Sequence, residues 1–257
     1  MLIFRRQGIA PALVKAGVRG IILLATNRDR LSAVAKELGQ LNPQVETLVS
    51  TVDITDNSAV AGLFRDINSK WGHADILVNN GGVLTGGEDL HEVDPLAWLS
   101  NMTVNLQGAF LLIHHFLKGL PDPKATPATI VNMTTGVAHM VIPGMSGYTT
   151  SKLALQHLTR YVAAQYPNVA SVSLSPGLVD TDLLQPYFRQ FDLDTPELTG
   201  GTVVWLAKDP KRASFLSGRY VCAEWSVEDL VERKDEIVTK NLLTVDMLGT
   251  FGKDQFE

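Results

Sequence analysis

Short aliphatic runs recur along the chain with longer stretches of helical period between them, and this alternation limits the possible folds more than any other feature. Runs of strand length fall at residues 20–25, 45–52, 76–79, 129–133, 170–175 and 218–222. Several, such as Ile21-Ile22-Leu23-Leu24, are unbroken rather than alternating, the pattern of strands covered on both faces. Helical spacing marks residues 10–16, 29–40, 58–71, 96–120, 148–166 and 199–207. In the second of these, Leu31, Val34, Ala35 and Leu38 form one apolar stripe. The pattern predicts an α/β fold, a doubly wound parallel sheet with helices on both faces. Sheets of this type bind ligands beyond the carboxyl ends of their strands.

Apolar residues make up 45% of the 257, enough for a sizeable core, and no repeat or linker divides the chain. A single Rossmann-like domain over 1–257 is expected. The formal net charge of −5 gives no support for nucleic-acid binding. Cys222, the lone cysteine, excludes an intrachain disulfide, and His114-His115 have no partner at metal spacing, so no metal is expected. Uninterrupted apolar runs stop at strand length, which predicts no membrane span. Arg5, Arg6, Lys15, Arg19 and Arg28 precede the first acid, Asp29. They suit a solvent-facing first helix better than a targeting segment, and a cytoplasmic protein is expected. Asn101-Met102-Thr103 and Asn132-Met133-Thr134 match glycosylation acceptors but are discounted, the second lying in a strand.

Chemistry concentrates where the fold would put it. Tyr148 and Lys152 share one helix face at i, i+4. An ammonium beside a phenol favours the phenolate and draws its pKa down from about 10, so the pair suits proton exchange with a carbonyl or alcohol oxygen. Alone, this spacing is common. Its surroundings make it specific: Thr135, thirteen residues upstream, follows the run 129–133 and would turn its hydroxyl to the crevice. Asn105 sits in an otherwise apolar helix, and Asp53 follows the run 45–52. Asn79-Asn80-Gly81-Gly82 directly follows another strand, and Pro176-Gly177 leads to Thr181.

Together these motifs resemble the short-chain dehydrogenase/reductase family in its compact single-domain form, over roughly residues 8–222. The resemblance implies an oxidoreductase that moves a hydride between a nicotinamide cofactor and a carbonyl or secondary alcohol. It implies Tyr148 as proton donor or acceptor, and Lys152 as its partner and a ribose ligand. Thr135 would hold the substrate oxygen and Asn105 would anchor a relay water. Cofactor contacts would come from Gly8, Asp53, Asn79, Gly81, Lys152, Pro176, Gly177, Val179 and Thr181. A homodimer or homotetramer is also implied, with apolar helix faces including Phe110, Leu111, Leu155 and Leu158.

The chain departs from that pattern in two informative places. Thr135 stands where serine is usual, keeping the hydroxyl but adding a stiffening methyl. The family's glycine-rich phosphate turn is reduced to Gly8, with Pro11 in the helix's first turn. The first strand has at most four residues, so the first βα unit, 1–17, is expected to be truncated. Gly8 to Gly17 spans only nine residues. Either the first helix is a turn short or Gly8 is not a motif glycine. Arg5 and Arg6, just before Gly8, would partly replace the lost turn.

At the end of residues 20–25 no acid precedes Asp29, while Thr26 and Arg28 stand within reach of a 2′-phosphate, which favours NADP over NAD. Residues 183–198, with Tyr187 and Phe188, suit a substrate lid; with His139 they suggest an apolar or cyclic substrate. Residues 223–257 form a C-terminal extension. Two other functions use the same residues: a non-redox isomerase, dehydratase or cyclisation catalyst, and a binding protein that has lost activity.

Overall fold

A computed structural model describes residues 2–4, 8–181 and 183–246, the first three as backbone. Arg5 and Arg6 lie outside the described residues. Seven parallel strands form one sheet: β1 (Leu2–Phe4), β2 (Gly20–Leu24), β3 (Glu46–Ser50), β4 (Ile76–Asn79), β5 (Ala128–Met133), β6 (Val169–Ser175) and β7 (Tyr220–Cys222). Their spatial order is β3-β2-β1-β4-β5-β6-β7. The short β1 is therefore central, with Leu2 paired to both Ile22 and Leu77. The order reverses between β1 and β4, which opens a crevice at their carboxyl ends.

Pleating divides the core in two. Ile21 and Leu23 join Ile9, Leu13 and Val14 of α1 (Ile9–Lys15) on one face, whereas Ile22 and Leu24 join the other. The first layer is completed by α2 (Arg28–Leu41), whose stripe residues Leu31 and Leu38 are buried. The second is filled by Leu63, Phe64 and Ile67 of α3 (Asn57–Trp71). Asn27 and Asp56 cap these two helices, accepting from Arg30 N–H and from Ser58 and Ala59 N–H.

The helical segment expected over 96–120 is interrupted. It runs as α4 (Pro95–Asn101), a π-helical stretch (Met102–Gly108) and α5 (Ala109–Gly119). Spacing alone does not reveal the π stretch, because it shifts the helix register by the side chains it turns inward. This 25-residue span reaches a mean hydropathy of 1.3, long and apolar enough to cross a membrane by those measures. Here Leu112, Phe116 and Leu117 pack into the core instead. Then follow α6 (Ser146–Gln165) and α7 (Pro196–Lys208). The C-terminal extension contributes α8 (Val227–Glu232) and α9 (Lys234–Thr239), too short for periodicity to show.

At the start of the chain α1 is a short helix. The seven residues of α1 end at Lys15, followed by Ala16 as C-cap and Gly17 at φ +89°. Gly8 lies in right-handed helical conformation, and an added Cβ would overlap the carbonyl of Pro196. Gly200 in turn faces the Gly8 carbonyl. Glycine at position 8 therefore lets α1 and α7 touch backbone to backbone.

Candidate active site

Tyr148 and Lys152 open α6, one turn apart, with the Lys152 ammonium 5.8 Å from the phenol ring centroid. Lys152 is 4% exposed, and Nζ donates to the Met133 carbonyl at the end of β5, 2.9 Å away. Desolvating an ammonium is costly unless it is hydrogen-bonded, so this placement must be held by its surroundings. Gly82 supplies part of that space. A Cβ there would stand 3.2 Å from Asn105 Oδ1 and 3.4 Å from Lys152 Nζ.

Asn105, in the π stretch, is buried. Its Nδ2 donates to the Val83 carbonyl and to Ser151 Oγ, both 2.9 Å away, and its Oδ1 accepts from Val83 N–H at 2.8 Å. Ser151 Oγ donates to the Tyr148 carbonyl at 2.7 Å. The tyrosine's turn, the π stretch and the loop after β4 are thus tied together. Both amide hydrogens of Asn105 are used. One turn earlier, fully buried Asn101 donates to the Thr85 carbonyl at 2.9 Å and accepts from its N–H at 3.3 Å. The sequence marked Asn101 only as a glycosylation match.

Thr135 lies two residues beyond β5, half-buried, where it caps a 3₁₀ turn (Gly136–His139) by accepting from Val137 N–H at 3.4 Å. His139 shares a hydrogen bond of 2.8 Å with Gln156 Oε1 and meets the Tyr220 ring edge-on at 4.9 Å. Gln156 is buried and donates to Thr134 Oγ1 at 2.9 Å. His139 is therefore engaged with α6 and β7. Burial pushes the Tyr220 phenol above its ordinary pKa, and likewise the Cys222 thiol, which donates to Glu224.

Asn79 does not present its amide to the crevice. Nδ2 donates to Asn132 Oδ1 at 2.7 Å, and Asn132 donates onward to Thr159 Oγ1 at 2.9 Å. Ser173 Oγ donates to the same Thr159 at 2.9 Å, which completes a buried polar row across β4, β5 and β6. Asp53 is exposed and accepts from Thr55 N–H and Oγ1. Thr26 and Arg28 are exposed at the carboxyl end of β2, and Gly81 is half-buried after β4. Tyr187 and Phe188 sit on an exposed 3₁₀ turn (Pro186–Gln190), their rings edge-on at 5.4 Å, and Tyr187 also meets Phe191. After β6, Pro176 O accepts from Thr199 Oγ1 at 3.2 Å, and Gly177 has φ +76°. Val179 is buried and Thr181 half-buried.

The crevice divides into two halves. Around Lys152, a buried ammonium and the close backbone approach at Gly82 offer a donor that a ribose hydroxyl could meet. At the start of α1 the described residues hold no glycine-rich cradle for a pyrophosphate.

A doubly wound parallel sheet with a tyrosine–lysine pair at the crevice defines a Rossmann-type α/β protein. The sequence profile of the short chain dehydrogenase family matches residues 7–191. The short chain dehydrogenase mpl6 of Monascus purpureus is 36% identical over 251 residues, covering 93% of this chain and 83% of that one. The NADPH-dependent pterin aldehyde reductase of Arabidopsis thaliana is 30% identical, over 71% of this chain and 73% of its own. An alcohol dehydrogenase of the archaeon Thermococcus sibiricus, solved with 5-hydroxy-NADP, superposes with a TM-score of 0.73 at 25% identity, over 86% of this chain and 94% of that one. The chain belongs to the short chain dehydrogenase family, and its class of activity is that of an oxidoreductase.

Proposed function

We propose that the protein interconverts a carbonyl and a secondary alcohol with NADP(H), Tyr148 exchanging the proton. The observation that carries this is Lys152, buried one turn from Tyr148 and held by the Met133 carbonyl. The nicotinamide, when bound, supplies or accepts the hydride. Tyr148 gives its phenolic proton to the nascent alkoxide in reduction and takes it back in oxidation. Lys152 favours the phenolate by its charge and holds the ribose. Thr135 orients the substrate oxygen by hydrogen bond. Asn105 fixes the loop at Val83 through its side chain and anchors a relay water. Val179 and Thr181 meet the carboxamide, and Asp53 the adenine.

NADP is preferred on two grounds. No acid stands before Asp29 after β2, and Thr26 and Arg28 are exposed there. The Arabidopsis relative uses NADPH and the Thermococcus structure holds an NADP derivative. The substrate is an apolar or cyclic small molecule, because exposed Met140, Val141, Tyr187 and Phe191 follow the catalytic segments. We also propose a homo-oligomer without nucleic-acid or membrane partners.

One observation favours a second reading. Gly8 is taken up by the contact with Pro196, and among the described residues no glycine turn stands at the phosphate end. A protein that binds the cofactor weakly, or works on the scaffold without redox chemistry, would look the same there. Titrating NADPH and NADH into the purified protein and following nicotinamide fluorescence separates these readings. Saturable binding with turnover of a carbonyl panel supports the oxidoreductase; no binding of either dinucleotide overturns it.

A further inference from the structure

The loop after β6 is held from outside itself. Leu178 N–H donates to Asp194 Oδ2 at 2.8 Å, and Asp194 N–H donates back to the Leu178 carbonyl at 2.7 Å. Val179 and Asp194 form an isolated parallel bridge. Gly177, at φ +76°, lies so close to the carboxylate that any Cβ would overlap Asp194 Oδ2. On either side, Arg189 pairs with Asp180 at 2.6 Å, and buried Thr199 holds the Pro176 carbonyl. The lid region 183–198 therefore grips the loop at its far end through Arg189 and at its centre through Asp194, while Thr199 of α7 holds its near end.

We infer that Asp194 is a positioning residue for cofactor binding: its carboxylate fixes the Leu178–Val179 backbone where the nicotinamide carboxamide is read. This rests on the proposed function. A charge-assisted bond to a backbone N–H is stronger than a neutral one and directional. Without it, a loop hinged on a left-handed glycine has backbone freedom that binding must remove. The lid and the nicotinamide loop thereby become one unit, so that ordering one orders the other.

The test compares Asp194→Ala and Asp194→Asn with the wild-type chain. Asparagine keeps an acceptor oxygen for Leu178 N–H; alanine does not. In hydrogen exchange without cofactor, the peptide spanning 177–181 should exchange at least tenfold faster in Asp194→Ala and near the wild-type rate in Asp194→Asn. NADPH affinity should fall about tenfold in the alanine variant, while affinity for 2′,5′-ADP, which lacks the nicotinamide, should not change. Equal exchange in all three proteins overturns the clamp. Faster exchange with unchanged NADPH affinity overturns its role toward the cofactor, as does an equal loss of 2′,5′-ADP binding. If the wild type binds no NADPH, the proposed function falls and the cofactor role of Asp194 with it. The exchange rates still decide whether the clamp exists.

Discussion

Tyr148→Phe removes one hydroxyl and almost no volume, so turnover should be lost while the melting temperature stays within a few degrees of wild type. Steady-state assay and circular dichroism check both halves, and near-normal turnover would remove Tyr148 from the reaction. Thr135 offers a finer comparison. Serine keeps the hydroxyl and valine keeps the shape, so Thr135→Ser should retain activity and Thr135→Val should lose about 10²-fold in rate, the scale of one lost oxyanion donor. Equal rates in the two variants would place the hydroxyl away from the substrate. Arg28→Ala should narrow the NADP-over-NAD preference, measured as the ratio of kcat/KM, by removing a cation from the 2′-phosphate side. These residues were legible in the sequence because each motif is local: Tyr148 and Lys152 share one helix, and Thr135, Asp53 and Pro176-Gly177 each follow a strand.

Elements meet where no such local cue exists. Gly8 read as a remnant of a phosphate turn, but the start of α7 lies against it, some 190 residues later in the chain. Gly8→Ala should therefore cost stability, about 1–3 kcal/mol as overpacking does, measured by urea denaturation. A variant of wild-type stability with altered NADPH affinity would restore the phosphate-turn reading. Asn101 and Asn132, which the sequence offered only as glycosylation matches, are buried and tie neighbouring elements together. An asparagine's use depends on which backbone groups need a partner, and those arrive with the tertiary fold.

For the whole molecule, the oligomer is the open surface question. Two of the four apolar residues expected at a subunit contact, Leu111 and Leu155, belong to the protein's own interior. Phe110, Leu96, Leu99 and Tyr161 remain exposed on α4, α5 and α6 and suit a contact between copies. Light scattering at micromolar concentration should give at least twice the 28.0 kDa chain mass, and a monomer would reject it. The sequence by itself determined the parallel α/β sheet, the helices around it and the pairing of Tyr148 with Lys152 on one helix, because hydrophobic period and i, i+4 spacing act within one element. Only the tertiary structure decided that Gly8 serves packing, that Asn79 joins a polar row within the sheet, and that Asp194 grips the Leu178 backbone. Each of those depends on atoms distant in sequence, whose approach is fixed by how the layers close and by which buried polar groups find partners.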